Sequence, residues 1–231
     1  MVQYLNIVDF SKQDSLLTQF ITELRDITIQ NDRMRYRRST ERIGEIMAYE
    51  ISKTFDYSPK AISTPLSEMT VPEATNKVVL GTVLRAGLVL HQGFLNYFDK
   101  ADNAFISASR SYKEDKNFDI DIDIDIDIDI DIDYIAAPNL NDSTLIIVDP
   151  MLATGASMEL SYRALLTKGQ PKHIHIVSIV ASQIAVEFMK NQIKEDNVTL
   201  WLGVIDPEID DHSYIVSGIG DAGDLSYGPK S

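Results

Sequence analysis

The stretch Ile146-Ile147-Val148-Asp149-Pro150-Met151-Leu152-Ala153-Thr154-Gly155-Ala156-Ser157 indicates the fold more directly than any other part of the chain. Its β-branched apolar run is typical of a buried strand and stops at the carboxylate of Asp149. A loop of small residues follows, and a helical pattern begins at Glu159. This order places a carboxylate at a strand end and unpaired backbone N–H groups at the N-terminus of a helix.

Such a strand, loop and helix suit a phosphorylated sugar. The loop amides and the helix dipole would hold a phosphate, and the Asp149 carboxylate would accept hydrogen bonds from ribose hydroxyls. The loop is not a nucleoside-triphosphate P-loop, because no Gly-Lys-Ser/Thr sequence follows it. An ordinary capped turn is the alternative, although such a turn needs only one Ser or Thr at the N-cap.

Composition limits the class of protein. A chain of 231 residues with 44% hydrophobic residues is long enough for one large α/β domain, so we expect residues 1–231 to form a single domain. No apolar run approaches the roughly 18 residues that cross a membrane, and the first residues do not resemble a secretory signal. Together with the absence of cysteine, these features predict a cytoplasmic protein. The formal charge of −14 argues against nucleic-acid binding.

The wider pattern predicts an α/β fold with a mostly parallel central sheet flanked by helices. Buried strands are expected at Val78 to Leu84, Ala104 to Ser109, Thr144 to Val148, Ile174 to Ala181 and Val198 to Val204. Helices are expected at Leu88 to Phe98, Met158 to Lys168 and Gln183 to Lys194. Ligands of such a sheet bind at the carboxyl ends of the strands, where the Asp149 loop falls.

The N-terminal third has helical periodicity, with a basic cluster from Arg33 to Arg42 between its two apolar stretches. We expect Ser39 or Thr40 to be the N-cap of the second helix. The cluster is interpreted as a solvated or dimer-contacting helix end rather than as a substrate contact.

Residues Asp119 to Asp133 alternate strictly between aspartate and isoleucine. The period of two and the β-branched partner favour an extended strand, while like charges and a repeating register would weaken its pairing. We therefore expect a flexible β-arm or a partly disordered protrusion. A metal-binding acidic strip is the alternative, but it lacks the turn and the mixed oxygen ligands of a calcium loop.

Two arginines are candidates for binding a diphosphate. Arg85 ends one predicted strand and precedes two small residues, and Arg110 ends the next strand in the same way. A guanidinium binds phosphate oxygens bidentately, and small residues let the backbone approach the ligand. Arg85, Arg110 and the Asp149 loop would share one edge of the sheet.

The C-terminal segment Gly218-Ile219-Gly220-Asp221-Ala222-Gly223 matches a dinucleotide-binding fingerprint, but we reject that function. The fingerprint requires a helix, a further strand and an acidic residue about 20 positions later, and the chain ends eight residues after Gly223. The glycines are better suited to bring backbone groups against a flat ligand such as a pyrimidine. No zinc-hydrolase or serine-esterase motif occurs, and the histidines have neither ligand spacing nor a nucleophile partner.

These residues resemble the uracil phosphoribosyltransferases from about Arg25 to Lys230, apart from the Asp-Ile insert. The motifs that carry the resemblance are Leu84-Arg85-Ala86-Gly87-Leu88, Asp149-Pro150-Met151-Leu152-Ala153-Thr154-Gly155-Ala156-Ser157 and Tyr214-Ile215-Val216-Ser217-Gly218-Ile219-Gly220-Asp221-Ala222-Gly223-Asp224. The chain departs from the family at Ala156, where a second glycine is common, and at Ser217, where proline is frequent. Leu225-Ser226-Tyr227 also replaces a more basic ending that contains phenylalanine.

The resemblance implies a type I phosphoribosyltransferase fold, with a small hood from the chain ends and a β-arm at the insert. It implies that uracil and 5-phosphoribosyl 1-diphosphate react to give uridine monophosphate and diphosphate. Catalytic roles would fall to Arg85, Arg110, Asp149 and Asp221. The donor would be bound by Arg85, Arg110, Asp221 and the loop residues Asp149, Pro150, Met151, Leu152, Ala153, Thr154, Gly155, Ala156 and Ser157, and uracil by Ile215, Gly220, Asp221 and Ala222.

The resemblance further implies Mg²⁺ as the cofactor, held through the diphosphate with a contribution from Asp221. It also implies a homodimer or higher homo-oligomer, and GTP as an allosteric effector. A different class of function stays open, a non-catalytic regulator that senses phosphoribosyl diphosphate or uracil. Such a regulator is expected to carry a basic nucleic-acid face, and the short cluster from Arg33 to Arg42 is the one candidate for it.

Overall fold

The computed structural model describes the backbone of residues 5–112 and 128–229, and the side chains of residues 5–107 and 132–229. Its helices are α1 (Leu16–Arg25), α2 (Arg33–Ser52), α3 (Gly87–Leu95), α4 (Ala156–Leu166), α5 (Gln183–Gln192) and α6 (Ala222–Tyr227). Its strands are β1 (Asn6–Asp9), β2 (Tyr57–Ser63), β3 (Glu68–Ala74), β4 (Val78–Leu84), β5 (Asp102–Tyr112), β6 (Ile128–Ala136), β7 (Thr144–Val148), β8 (Met151–Leu152), β9 (His173–Ser182) and β10 (Val198–Asp206). None of the described helices is long and apolar enough to cross a membrane.

The main sheet has the strand order β1-β10-β9-β7-β4-β5-β6, and the short β8 also pairs with β9. All of its pairings are parallel except β5 with β6. The predicted mostly parallel sheet is therefore confirmed. The strands predicted from residue 78 onward are present, although β5 continues to Tyr112, beyond the expected end at Ser109.

Alternating side chains of β7 build the cores on the two faces of the sheet. Leu145 and Ile147 belong to the core covered by α4 and α5, whereas Ile146 and Val148 belong to the core covered by α1, α2 and α3. All four side chains are buried. A strand buried on both faces reads as a continuous apolar run, which is why the sequence of β7 shows no polar alternation.

The expected N-cap of α2 is wrong. The helix begins at Arg33, and the Asp32 carboxylate caps it by accepting hydrogen bonds from the N–H groups of Met34 (3.0 Å) and Arg35 (3.1 Å). Ser39 and Thr40 are buried inside the helix. Asp32 is the cap because its carboxylate accepts from two of the unpaired N–H groups of the first turn, about two turns before the serine and threonine.

The chain also contains strands that the sequence did not predict. β1 joins the edge of the main sheet beside β10, and β2 and β3 form a separate antiparallel hairpin. Most of the hairpin side chains are exposed, so its sequence lacks the apolar alternation of a half-buried strand. The described part of the Asp-Ile repeat, residues 128–133, is extended in β6 as expected. Residues 119–127 of the repeat lie outside the described residues.

Helices α2 and α3 approach closely at a pair of glycines. A Cβ atom added to Gly44 would lie 2.7 Å from the carbonyl oxygen of Leu90 and 3.2 Å from the Cα of Gly93. A Cβ added to Gly93 would in turn lie 3.0 Å from the Cα of Gly44. The crossing therefore depends on the absence of side chains at both positions.

We predict that Gly44→Ala lowers the free energy of unfolding by about 1–3 kcal/mol, because overpacking outweighs the better helix propensity of alanine. Urea denaturation would measure the change. Met34→Ala, at an exposed position of the same helix, is the control and should change stability by less than about 0.5 kcal/mol. Equal stability of Gly44→Ala and the unaltered protein would contradict the close crossing.

Candidate active site

A cavity of about 1190 Å³ opens at the carboxyl ends of β4 and β7, next to the N-terminus of α4. Most of its walls come from three parts of the chain: the end of β4 with the turn after it, the loop from β7 into α4, and the segment from β10 into α6. Ser107 of β5 also lines it. Among its lining residues are Arg85, Asp149, Thr154, Gly155, Asp221 and Ala222. The cavity thus lies where ligands of open parallel sheets bind.

Register explains why the turn after β4 lies beside the loop after β7. Thr82 of β4 pairs with Val148 of β7, so β4 and β7 end within two residues of each other. Arg85 follows Leu84, the last residue of β4, through a cis peptide bond. Asp149 follows Val148 directly, and its N–H donates to the carbonyl of Val177 in β9 at 3.1 Å.

The loop after β7 is fixed against β9. The carbonyl of Pro150 accepts hydrogen bonds from the N–H groups of Ile179 and Val180, and the hydroxyl of Ser182 donates to the carbonyl of Ala153 at 2.5 Å. The carboxylate of Asp149 accepts from the N–H of Met151 at 3.3 Å. These contacts stabilise the loop in an open turn ahead of α4.

Gly155 is the N-cap of α4 and has a left-handed backbone conformation, with φ of 88°. A Cβ atom at this position would lie 2.8 Å from the ring of Phe188. Glycine is therefore required for both conformation and space. The N–H groups of the first helical turn lie beside the cavity and suit an anion such as a phosphate.

Arg85 is held by the C-terminal segment. Its guanidinium donates to the Asp224 carboxylate at 2.6 Å and to the carbonyl of Gly228 at 3.1 Å. Its Nε is buried and has no hydrogen-bond partner among the described residues. A buried donor without an acceptor is uncommon in proteins, and here it belongs to a cation that lines a cavity, where a bound anion could accept from it.

Asp221 is the N-cap of α6, and its Oδ1 accepts a hydrogen bond from the N–H of Asp224 at 2.8 Å. A Cβ atom added to Gly223 would lie 3.3 Å from a terminal nitrogen of Arg85, so glycine lets the C-terminal backbone pack against the arginine.

Burial raises the pKa of the Tyr36 hydroxyl, and the nearby Asp221 carboxylate raises it further.

The rejection of a dinucleotide-binding fold agrees with this segment. The glycine motif precedes α6, a helix of only six residues, and no strand follows it within the described residues.

The segment between β10 and α6 folds into a hairpin that contributes to the cavity wall. Its turn is closed by hydrogen bonds from the N–H of Asp210 to the carbonyl of Tyr214 (2.8 Å) and from the N–H of Val216 to the carbonyl of Glu208 (3.1 Å). Asp211, His212 and Ser213 line the cavity. Sequence analysis missed these residues, although Asp210 in a polar stretch is a recognisable turn signal.

The cavity brings together most of the residues predicted for the site. Those that line it are Arg85, Asp149, Met151, Leu152, Ala153, Thr154, Gly155, Ser157, Asp221 and Ala222. Pro150, Ala156, Ile215 and Gly220 belong to the same segments but do not line it. Ile215 instead packs into the core.

Arg110 does not end its strand as expected. It lies within β5, where its backbone pairs with Ile130 of β6. The strand continues because the β-arm supplies hydrogen-bonding partners beyond the last pair with β4, Leu84 with Ser107. The side chain of Arg110 lies outside the described residues.

The basic cluster serves mainly internal contacts. Arg35 is paired with Glu23, and Arg38 is paired with Glu41 and Glu45. Arg37 donates to the carbonyl of Ser226 at 2.8 Å, at the end of α6. Arg37 therefore joins α2 to the C-terminal helix α6, whose N-terminal residues line the cavity.

The two histidines of β9, His173 and His175, pack against each other, and His175 also packs against Trp201. His175 is buried and accepts a hydrogen bond from the Trp201 indole at 2.9 Å, and burial lowers its pKa to about 3. His173 lies against it, with ring centroids 4.5 Å apart.

Comparison with known proteins gives a consistent result. The family model described as uracil phosphoribosyltransferase matches residues 11–229. The chain is 55% identical over 226 residues to uracil phosphoribosyltransferase of Porphyromonas gingivalis, covering 98% of this chain and 100% of that protein. It is 32% identical over 223 residues to uracil phosphoribosyltransferase of Methanococcus maripaludis, covering 95% and 89% of the two chains.

A solved structure, that of the AQ2163 protein from Aquifex aeolicus, has the same fold. The TM-score is 0.82 with 24% sequence identity, and the match covers 96% of this chain and 98% of that one.

The fold and the family match are those of a phosphoribosyltransferase, an enzyme class that transfers a phosphorylated pentose. The chain belongs to the uracil phosphoribosyltransferase family. The predicted family, fold and pentosyltransferase activity in pyrimidine salvage are confirmed by these findings.

We predict that Gly155→Ala raises the KM for 5-phosphoribosyl 1-diphosphate by about fivefold or more, since strain of roughly 1–3 kcal/mol would shift the loop ahead of α4. Steady-state kinetics would measure it. Lys168→Ala is the control, because Lys168 is exposed just beyond the other end of α4, and its KM should stay within about twofold. A normal KM for Gly155→Ala would contradict the dependence on glycine.

Proposed function

We propose that the chain transfers the phosphoribosyl group of 5-phosphoribosyl 1-diphosphate to uracil, in the cavity between the β4 turn, the β7 loop and the C-terminal segment. The observation that carries this proposal is the convergence of Arg85, Asp149 and the α4 N-terminus on one cavity. Its other wall carries Asp221 and Ala222, to which the resemblance assigns uracil binding.

The donor would lie along the β7 loop and the β4 turn. Backbone N–H groups of residues 153–157 suit the 5-phosphate, because they lie ahead of and within the first turn of α4. The Asp149 carboxylate would accept hydrogen bonds from the ribose hydroxyls. The diphosphate would accept from Arg85, whose buried Nε otherwise has no acceptor among the described residues. Arg110 is proposed as a second diphosphate ligand on the basis of the family resemblance.

The residues around the cavity fit a magnesium–diphosphate complex better than a protein-bound metal. The described residues contain no group of three or more His, Cys, Asp or Glu side chains that could hold a metal ion. Mg²⁺ prefers oxygen ligands and is commonly held by one or two carboxylates, water and substrate phosphates. Asp221 and Asp211 offer carboxylate oxygens at the cavity wall. Bound in this way, Mg²⁺ would neutralise charge on the diphosphate leaving group.

Uracil would bind against the backbone between Ile215 and Ala222. Glycines at 218 and 220 leave the main-chain N–H and C=O groups accessible to the edge of a flat base. Asp221 would lie between base and donor, because it caps α6 at the cavity wall.

Catalysis would then depend on positioning and electrostatics. As the bond between C1′ and the diphosphate oxygen breaks, positive charge develops on the ribose. N1 of uracil bonds to C1′, and the proton of N1 leaves with the diphosphate. Arg85 would stabilise the departing charge, and Asp149 would fix the ribose so that C1′ faces the base. None of these steps requires a covalent enzyme intermediate.

We further propose that residues 1–231 form a single phosphoribosyltransferase domain, that the enzyme is cytoplasmic and that it forms a homodimer or higher homo-oligomer. Activation by GTP stays a prediction from the resemblance. The alternative of a non-catalytic sensor has weaker support, because several arginines of the basic cluster are engaged in internal contacts.

The proposed activity is tested by incubating the purified chain with uracil, 5-phosphoribosyl 1-diphosphate and Mg²⁺ and following uridine monophosphate by chromatography. We expect product in proportion to enzyme, and none with EDTA. Donor binding without any product would instead support the sensor.

Arg85→Ala should lower kcat at least about tenfold, about 1.4 kcal/mol of transition-state stabilisation, because the leaving diphosphate loses its cation. Arg35→Ala, which removes an exposed arginine paired with Glu23, is the control. Equal rates for both variants would exclude Arg85 from the reaction.

Asp149→Asn should also lower turnover at least about tenfold, since a neutral amide stabilises the positive charge on the ribose less well than a carboxylate does. The same kinetic assay measures it, with the melting temperature as a check on folding. Unchanged kinetics in a folded variant would remove Asp149 from the proposed ribose contact.

A further inference from the structure

Arg25 bridges two ends of the hairpin that contributes to the cavity wall. It is the last residue of α1, and one terminal nitrogen donates to Oδ1 of Asp206 at 2.9 Å. The other terminal nitrogen donates to the carbonyl oxygen of Ser217. Asp206 is the last residue of β10, just before the hairpin, and Ser217 directly follows the second arm of the hairpin. One guanidinium therefore links the two ends of the hairpin.

The tied segment leads directly into the proposed uracil-binding backbone. The N–H of Gly218 donates to the carbonyl of Ile215 at 2.9 Å, which forms the turn that contains Ser217. The hydroxyl of Tyr36 lies 3.5 Å from the carbonyl oxygen of Ile219, at the next point along the chain. Ile215 and Ile219 are buried in the same core as α1 and α2. Arg25 therefore fixes a short backbone stretch whose neighbours reach the cavity.

The ion pair between Arg25 and Asp206 is largely buried, so each charge must be compensated by its partner. The Asp206 side chain is only 8% exposed and that of Arg25 24% exposed. Oδ2 of Asp206 is buried and has no hydrogen-bond partner among the described residues, so the carboxylate relies on Arg25 for its compensation. The planar guanidinium serves two acceptors in fixed directions, which a lysine ammonium does not reproduce.

A serine at position 217 makes the conformation of this turn depend more strongly on the hydrogen bond from Arg25. Where proline is frequent in the resembling family, this chain has a serine, whose backbone is less restricted. The carbonyl of the same residue is the one that accepts from Arg25. A hydrogen bond thus restrains a turn that a proline ring would otherwise stiffen.

We propose that Arg25 and Asp206 are positioning residues that set the affinity for the pyrimidine base, by holding the backbone from Ile215 to Gly220 in its binding conformation. This inference rests on the proposed function. The donor half of the cavity comes from the β4 turn and the β7 loop, whereas the side chains of Arg25 and Asp206 pair with each other and Arg25 also donates to Ser217. The effect on the base should therefore be separable from the effect on the donor.

The test compares Arg25→Ala, Arg25→Lys and Asp206→Asn in the full chain, with Arg35→Ala as the control on the neighbouring helix. Both KM values and kcat are measured, together with the melting temperature and direct calorimetric titration of uracil in the presence of magnesium diphosphate. We expect Arg25→Ala to raise the uracil KM and dissociation constant at least about tenfold, while the donor KM stays within about threefold. Arg25→Lys should recover part of the uracil affinity, because the cation beside Asp206 is kept.

Equal losses for both substrates, or an unchanged uracil constant, would overturn the positioning role. If Arg25→Ala does not fold, Arg25→Lys and Asp206→Asn decide by the same comparison of the two KM values. Absence of uridine monophosphate with the unaltered chain would instead contradict the proposed function. In that case the calorimetric titration of the same variants with uracil still tests whether Arg25 and Asp206 position the backbone that binds the base.

Discussion

The parallel register of β4, β7 and β9 is the constraint on which the rest of the structure depends. Each of these strands is buried on both faces, so its side chains fill two cores at once and its pairing cannot shift without exposing them. Since the strands run in one direction, their carboxyl ends meet at one edge. Arg85 and Asp149 both line the cavity at this edge because of this register.

Hydrogen bonds between the N-terminal helices and the C-terminal segment hold the part of the cavity wall that the sheet does not form. Arginines of α1 and α2 donate to backbone carbonyls and carboxylates around the C-terminal segment, and Arg85 donates to the same segment from the cavity side. Guanidinium groups suit this role because they serve several acceptors in fixed directions. Arg25, Arg37 and Arg85 thus all contact the C-terminal part of the chain, which a net charge of −14 does not reveal.

Local sequence was sufficient for the central strands of the sheet and for the loop between β7 and α4. The apolar run before Asp149 and the small residues after it each predict one structure, and both are present. The N-cap of α2 was assigned wrongly because serine, threonine and aspartate compete for that position, and only the packing of Ser39 excludes it. The pair of Arg25 with Asp206 joins residues 181 positions apart, which periodicity and motifs do not report. The exposed hairpin β2–β3 lacks the apolar signal on which strand prediction depends.

The central claim is that one cavity binds a phosphorylated ribose on the β7 loop and a pyrimidine on the C-terminal backbone. A crystal structure of the chain with uridine monophosphate tests it most directly, because the product contains both halves. The account predicts the phosphate on the N–H groups of residues 153–157, the ribose hydroxyls on Asp149 and the base edge on the backbone between Ile215 and Ala222. A nucleotide bound with its base on the β7 loop, or at another surface of the protein, would contradict it.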